Sequence, residues 1–239
     1  MQRYFASIIG TNVLLTEEDA FHLTKVIRVR KGEKIEVVNE NIPYLCEVVE
    51  VKPLTIKVLE KIKEVRELHN HVTLICALIK GDKLDFVLQK ATEIGVKEIV
   101  LISTERTVVK AANYNSAKKL TRYHKILREA AMQSHRSRIP ELYRCIDMSK
   151  LSTIRADKKI IAYEGEAGNT KSFWNALKGI EPKDRIAILV GPEGGFSPIE
   201  VKKAEASGYV PVSLGNRILR AETASIYALS VLSCYLERK

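Results

Sequence analysis

The sequence predicts an α/β protein of two domains: a small β-rich domain over residues 1–70 and a larger domain with a mostly parallel sheet over residues 71–239. Short β-branched segments separated by turn residues fill the first part. From His71 onward, apolar strand segments alternate with helical ones, which is typical of a parallel α/β sheet. A chain of 239 residues is long enough to bury a core in each part.

The N-terminal part is predicted to contain one short helix and three strands. Thr16 is a suitable N-cap, and three acidic residues, Glu17, Glu18 and Asp19, follow it in the first turn, where the helix dipole favours them. The strand segments read KIEVVNE, YLCEVVEV and TIKVLEKI. The charged stretch 61–71 lacks apolar periodicity and is predicted to link the two domains.

The larger part contains six predicted strands: HVTLICALI, KEIVLIS, LYRCI, KKIIAY, RIAILV and VPVSL. The predicted helices are DKLDFVLQKATEIG, which ends at Gly95, then SAKKLTRYHKILREAAMQS, SFWNALK, SPIEVKKAEAS and AETASIYALSVLSCYLE. Ligands of such sheets bind at the carboxyl ends of the strands. The glycine-bearing segments GPEGG and LGNR follow two of these strands, so both are expected at that edge.

The last predicted helix is apolar nearly all round, and a helix of this kind must be covered on more than one side. One apolar face comprises Ala224, Tyr227, Ala228 and Val231, and the other comprises Ile226, Leu229, Leu232 and Leu236. Either the rest of this chain covers both faces, or a second copy of the chain covers one of them.

Composition and residue spacing favour a reduced, metal-free cytoplasmic protein. The four cysteines lie far apart, and neither they nor the histidines show metal-binding spacing. No apolar run reaches the roughly 18 residues of a membrane helix, and the N-terminus lacks the layout of a signal peptide.

The net charge of +10 comes entirely from the larger part of the chain. Residues 1–70 hold 11 basic and 11 acidic side chains, whereas residues 104–138 hold nine basic side chains and only two acidic ones. A concentrated basic surface attracts phosphates and predicts a nucleic-acid partner. A solvated helix face is the alternative.

The segment GPEGGFSPIE places exposed backbone amides and one acid, Glu193, in a loop after a strand. It matches neither the Walker loop nor the GxGxxG fingerprint of dinucleotide-binding proteins. Ser197 is predicted to cap the following helix, with Glu200 completing a capping box.

The segment SLGNRILRAETAS is unusual because apolar Ile218 and Leu219 lie in a connection that should be polar. Arg220 then precedes the last helix, where a cation is disfavoured by the helix dipole. This placement predicts an anionic partner for Arg220: a substrate oxygen, a phosphate or a nearby carboxylate. Glu222 suits the dipole at that position.

Together, GPEGGFSPIE and LGNRILRAETA resemble the signature of the RsmE family of SPOUT methyltransferases. KATEIGVKEI, the pair Glu105-Arg106, REAAMQSHRSRIP and HLTKVIRVRKG resemble further motifs of that family, in the family's order and over nearly the full chain. Met132 and His135 depart from the family pattern, and Gln133 and Arg136 match it.

The resemblance implies a SPOUT domain with a trefoil knot and a small N-terminal PUA-like β-barrel that binds RNA. It also implies a homodimer that uses S-adenosyl-L-methionine and no metal to methylate N-3 of a uridine in the 16S ribosomal RNA of the small subunit. The knot would gather three loops around the cofactor. The implied cofactor-binding residues are Glu164, Gly191, Pro192, Gly194, Gly195, Leu214, Gly215, Ile218, Leu219, Thr223 and Ala224.

The reaction implies roles for three charged residues. Loss of the imide proton leaves charge on the uracil oxygens, so Arg220 is expected to stabilise the anion. Glu222 or Glu193 would accept the proton or orient Arg220. The residues expected to contact RNA are Arg28, Arg30, Arg106, Gln133, Arg136 and Arg138, because arginine binds phosphates and stacks on bases.

Two other functions stay open at this point. One is a SPOUT enzyme that methylates ribose 2′-oxygens in RNA, against which the middle motifs argue. The other is a non-catalytic RNA-binding factor for ribosome assembly, which would bind no cofactor.

Overall fold

The computed structural model describes residues 1–64, 66–109, 111–163 and 171–238 of the chain. The chain divides into two compact units. The N-terminal unit is Met1–Glu67 together with Ala131–Arg138, and the larger unit is Leu68–Ala130 together with Ile139–Lys239. Residues 131–138 thus belong to the N-terminal unit, whereas the sequence predicts them in the larger domain.

The strands of the N-terminal unit are β1 (Arg3–Phe5), β2 (Ser7–Ile9), β3 (Asn12–Leu14), β4 (Lys34–Asn39), β5 (Ile42–Val51) and β6 (Leu54–Lys61). They form one sheet in the order β1-β4-β5-β6-β3-β2. Strands β4 to β6 confirm the three predicted strands. Tyr4, Val37, Cys46 and Val48 are fully buried in the core beneath them. The predicted helix is α1 (Glu17–Phe21), and the Thr16 side chain caps it by accepting from the Asp19 amide at 3.2 Å.

Two buried carboxylates hold the segment 131–138 within the N-terminal unit. Glu36 accepts a hydrogen bond from Arg3 Nε at 2.7 Å and contacts His135 Nδ1 at 2.8 Å. Burial raises the pKa of Glu36, but the hydrogen bonds from His135 and Arg3 outweigh it and hold that pKa below its usual value. Glu67 pairs with Arg136 at 2.7 Å.

The larger unit contains a parallel sheet of strands β7 (His71–Ala77), β8 (Glu98–Ser103), β9 (Glu141–Asp147), β10 (Lys158–Ala162), β11 (Lys171–Ser172), β12 (Arg185–Val190) and β13 (Val210–Ser213). Their order is β11-β13-β10-β12-β7-β8-β9, and every pairing between described strands is parallel. The predicted parallel sheet is confirmed.

Helices cover both faces of this sheet, which explains its nearly continuous apolar strands. Successive residues of β7 alternate between two hydrophobic clusters: Leu74 and Cys76 lie in one, and Ile75 and Ala77 lie in the other. The helices after α1 are α2 (Lys83–Ile94), α3 (Ala111–Tyr114), α4 (Ala117–Gln133), α5 (Phe173–Leu177), α6 (Pro198–Ala206) and α7 (Ala221–Leu236). As predicted, α2 ends at Gly95, whose φ of 112° favours glycine.

Strand β12 lies between β10 and β7, although both of those strands precede it in the chain. Beyond β7 the order continues outward through β8 and β9, so β12 and β7 meet where the direction of winding changes. Ligands of open parallel sheets bind at such a point, outside the carboxyl ends of the strands. The connections after β7, β8, β12 and β13 all begin at that edge.

Helix α7 packs against α2 and β12, and Ala224, Ala228, Leu229 and Leu232 are buried there. Tyr227, which the sequence predicts on the same face as Ala224 and Ala228, stays 41% exposed, and the buried side of α7 combines residues of both predicted faces. Within the described part of the chain, no helix is long and apolar enough to cross a membrane. The same residues contain no group of three potential metal ligands from the side chains of histidine, cysteine, aspartate and glutamate.

The predicted capping box of α6 is confirmed. Ser197 Oγ accepts from the Glu200 amide at 3.3 Å, and Glu200 Oε2 accepts from the Ser197 amide at 2.9 Å.

We expect Ser197→Ala to lower the free energy of unfolding by about 1 kcal/mol, because the substitution leaves a helix N–H group without its cap. Urea denaturation measures this change. The control is Ser207→Ala, whose hydroxyl only donates to a carbonyl oxygen of the same helix. An equal loss in both variants would contradict a specific role of the cap.

Candidate active site

The connection after β12 is a tight turn with very little free space. Gly195 donates its backbone N–H to the Pro192 carbonyl at 2.9 Å and has a φ of 66°, which favours glycine. A Cβ atom at Gly191 would lie only 3.0 Å from the ring of Phe196. A side chain at Gly191 would therefore crowd the Phe196 ring, so glycine is needed for this close packing of the backbone.

The connection after β13 is stabilised by one serine. Ser213 Oγ donates to the Gly215 carbonyl at 3.0 Å and accepts from the Gly215 amide at 3.2 Å. Three residues after Gly215 comes Ile218, which is 82% exposed. The loop ends at Arg220, the exposed N-cap residue of α7.

These two loops and the end of β10 enclose a cavity of about 290 Å³. Of the predicted cofactor-binding residues, those that line it are Gly191, Pro192, Gly194, Gly195, Leu214, Gly215, Ile218, Leu219 and Ala224. Thr223 is exposed and is not part of this lining, and Glu164 lies outside the described residues. The cavity also has walls from Ala162, Tyr163 and Phe196, which the sequence analysis does not identify.

Of the three predicted catalytic residues, Glu193 alone lines the cavity. Its Oε1 lies 3.4 Å from the Lys80 amide and 3.4 Å from Lys83 Nζ. Burial raises the pKa of Glu193, but hydrogen bonds from its own amide, the Lys80 amide and Lys83 outweigh it and hold the pKa below its usual value. Glu193 is therefore a stabilised carboxylate.

Lys83 also approaches Glu222, with 4.0 Å between Nζ and Oε2. Lys83 is not among the residues predicted from the sequence. Its position in the sequence could have identified it: the segment KGDK follows β7, at the same edge of the sheet as the two glycine loops.

One hydrogen bond connects the segment after β8 to the loop after β12, and another connects it to α6. Arg106 donates to the Gly194 carbonyl at 2.9 Å, and the Glu105 amide donates to Glu200 Oε1 at 2.7 Å. Arg106 also lines the cavity, so the structure places this predicted RNA contact against the loop after β12. Glu200 is 4% exposed and has the structural role that the sequence predicts.

The other predicted RNA contacts belong to the N-terminal unit. Arg28, Arg30, Gln133 and Arg138 are exposed there. Arg136 does not fit this role, because it is 1% exposed and its guanidinium pairs with Glu67. A buried, paired guanidinium is not available to a phosphate, so Arg136 is a structural residue of the N-terminal unit.

Comparisons with known proteins agree with this architecture. A family model described as an RNA methyltransferase domain matches residues 66–233, and one described as an RNA methyltransferase PUA domain matches residues 15–60. The chain is 32% identical to ribosomal RNA small subunit methyltransferase E of Bacillus subtilis, over 99% of this chain and 98% of that protein. It is 33% identical to the protein of that name in Mesomycoplasma hyopneumoniae, over 96% of this chain and 98% of the relative.

A solved structure extends the comparison to three dimensions. Ribosomal RNA small subunit methyltransferase E from Neisseria gonorrhoeae, solved bound to S-adenosyl methionine, is 29% identical and superposes with a TM-score of 0.85. The match covers 98% of each chain.

Proposed function

Because the chain belongs to the ribosomal RNA small subunit methyltransferase E family, we propose that it uses S-adenosyl-L-methionine to methylate N-3 of a uridine in 16S ribosomal RNA. The observation that supports this most directly is the cavity between the loops after β12 and β13, with Arg220 at the end of the second loop. The family relation supports the RNA methyltransferase activity and its cofactor. The assignment of N-3 of uracil as the methylated atom is the more specific part of the proposal.

The cavity fits an adenosyl group in size and chemistry. Its volume of about 290 Å³ is near the lower end of small-molecule sites, and its walls combine apolar side chains with exposed backbone. Leu214, Ile218 and Leu219 would contact the adenine, and the backbone at Gly191 and Gly194 would approach the ribose and the methionine part. S-adenosyl-L-methionine supplies a methyl group on a positively charged sulfur, which is electrophilic without a metal.

The residues next to the cavity can act on the uracil. Arg220 follows the cavity wall directly in the chain and is exposed, so its guanidinium can bind the oxygen on which negative charge develops. The neighbouring carboxylates Glu193 and Glu222 are the candidates for accepting the imide proton. Orientation of the uracil against the methyl group supplies the remaining part of the rate acceleration.

RNA binding is proposed for the exposed residues Arg28, Arg30, Gln133 and Arg138 of the N-terminal unit, together with Arg106 of the larger unit. The net charge of +10 supports a polyanionic substrate. No role in RNA contact is proposed for Arg136.

The trefoil knot and the homodimer also belong to this proposal. The insertion of β12 between two strands that precede it supports a threaded C-terminal region. The exposed Tyr227 on α7 supports a second copy as the cover of that side of the helix. The function is proposed for the cytoplasm, where small subunits are assembled.

The test is transfer of a labelled methyl group to undermethylated small subunits, free 16S ribosomal RNA and transfer RNA, followed by nucleoside mapping. We expect label in N-3-methyluridine from the small subunit or its RNA. Label in 2′-O-methylated nucleosides would replace the N-3 assignment by ribose methylation. A protein that transfers no label and gains no thermal stability from the cofactor would be a binding factor, which contradicts the proposal.

A further inference from the structure

Lys83 is shared by two carboxylates that come from different connections of the larger unit. Its Nζ lies 3.4 Å from Glu193 Oε1, in the loop after β12, and 4.0 Å from Glu222 Oε2, in the first turn of α7. Lys83 itself is the first residue of α2. Three segments distant in the chain thus place one ammonium group and two carboxylates next to the cavity that Glu193 lines.

The two carboxylates differ in how far their hydrogen-bonding capacity is used. Glu193 is 36% exposed, and its Oε1 receives both the Lys80 amide and Lys83 Nζ. Glu222 is 15% exposed, and its Oε2 is buried with no hydrogen-bond partner among the described residues. At 4.0 Å, Lys83 attracts this oxygen electrostatically but is beyond hydrogen-bonding distance.

A buried carboxylate oxygen without a partner is costly, and such groups are uncommon in folded proteins unless a ligand or a reaction uses them. Glu222 lies in the first turn of α7, two positions after Arg220, and Ala221 between them lines the cavity. Glu222 Oε2 can still accept a hydrogen bond, and the N-3–H group of uracil can donate one.

We propose that Glu222, rather than Glu193, accepts the imide proton, and that Lys83 is the positioning residue which holds Glu222 while Glu193 anchors Lys83. The inference rests on the proposed methyl transfer. In the step, the N-3–H bond breaks and its proton passes to Glu222 Oε2. The nitrogen electron pair forms the N–CH3 bond as the bond from methyl carbon to sulfur breaks. The positive charge on sulfur and the negative charge on Glu222 are neutralised together, and the protonated Glu222 then returns its proton to water.

Glu193 is the weaker acceptor on two grounds. Its oxygen that faces Lys83 is already engaged by two donors, so a proton would have to displace one of them. The same donors hold its pKa below the usual value, which lowers its strength as a base. Its contacts suit a residue that fixes the loop and Lys83.

The experiment measures single-turnover methyl transfer to small subunits, cofactor affinity and pH profiles for the full-length variants. We expect Glu222→Gln to lower the rate about 100-fold near neutral pH, within the range for loss of a general base, and to leave the cofactor Kd within about threefold. At alkaline pH, where the imide ionises without a base, the Glu222→Gln rate should approach the wild-type rate. Glu222→Asp keeps a carboxylate and should keep more of the neutral-pH rate than Glu222→Gln.

Lys83→Ala is expected to lower the rate at saturating cofactor about tenfold and to leave the cofactor Kd unchanged, because the ammonium group no longer holds the Glu222 carboxylate in place. Lys83→Arg keeps the positive charge and should restore most of the rate. Lys202→Ala, an exposed lysine on α6, is the matched control and should behave like the wild type.

Three results would overturn the inference while the methyltransferase function stands. A Glu222→Gln variant as active as the wild type at neutral pH excludes Glu222 as the acceptor. If Glu222→Gln loses cofactor affinity but keeps its rate at saturating cofactor, Glu222 is a cofactor ligand. A 100-fold loss in Glu193→Gln assigns the proton to Glu193. A wild-type protein that transfers no methyl group would instead overturn the proposed function and this inference with it.

Discussion

Replacing Arg220 with alanine is expected to lower kcat for methyl transfer by about 100- to 1,000-fold, the usual effect of removing one group that stabilises an oxyanion. Arg220 is exposed, sits at the N-cap of α7 and donates no capping hydrogen bond from its side chain. It is also not part of the cavity lining. The Kd for S-adenosyl-L-methionine should therefore stay within about threefold of the wild-type value.

The measurement pairs single-turnover transfer to small subunits with calorimetric cofactor binding. Arg220→Lys keeps the charge but not the planar fork of donors, so its rate should lie between those of the wild type and the alanine variant. Arg144→Ala is the control, because Arg144 is exposed on the edge strand β9, three strands away from β12. Unchanged methylation in Arg220→Ala would show that the assignment of Arg220 is wrong.

Most of the fold follows from local sequence rules. The start or end of a helix can be predicted where a single capping residue determines it, as at Thr16, Ser197 and Gly95. The parallel sheet is readable because its strands are buried on both faces and appear as apolar runs. Strands β1 to β3 cannot be predicted in this way: each has three residues, β1 and β3 pair with distant strands, and β2 pairs with β3 at the edge of the sheet.

Only part of the candidate site can be predicted from the sequence, because some of its contacts join residues that are distant in the chain. The glycine loops stand out because backbone geometry restricts their residue types, and they come together because parallel strands end at one edge. The roles of Lys83 and Arg136 cannot be predicted, because the sequence does not show whether a charged side chain is solvated or paired. The partner of Arg136 lies 69 positions away in the sequence, and Lys83 is 110 positions from Glu193. Only the folded chain brings these charges together.

Removing the Glu67 carboxylate should have the largest effect on stability. Its Oε2 lies 2.7 Å from Arg136 Nη2, and its Oε1 accepts from the amides of Ser137 and Arg138 at 2.9 and 3.1 Å. The side chains of Glu67 and Arg136 are only 8% and 2% exposed. Because breaking a buried pair leaves an uncompensated charge, we expect Glu67→Ala to lower the free energy of unfolding by about 3–5 kcal/mol.

Urea denaturation followed by circular dichroism measures the loss, and hydrogen exchange locates it. The amides of residues 136–138 should exchange much faster in Glu67→Ala, because the carboxylate that holds this segment is gone. The control is Glu64→Ala: Glu64 also pairs with an arginine, Arg66, at 3.0 Å, but its side chain is 63% exposed and its loss should not measurably change the transition. Equal transitions for the two variants would mean that Glu67 does not hold the segment 131–138. If Glu67 does hold it, RNA binding through the neighbouring Gln133 and Arg138 should weaken in Glu67→Ala, while cofactor affinity stays unchanged.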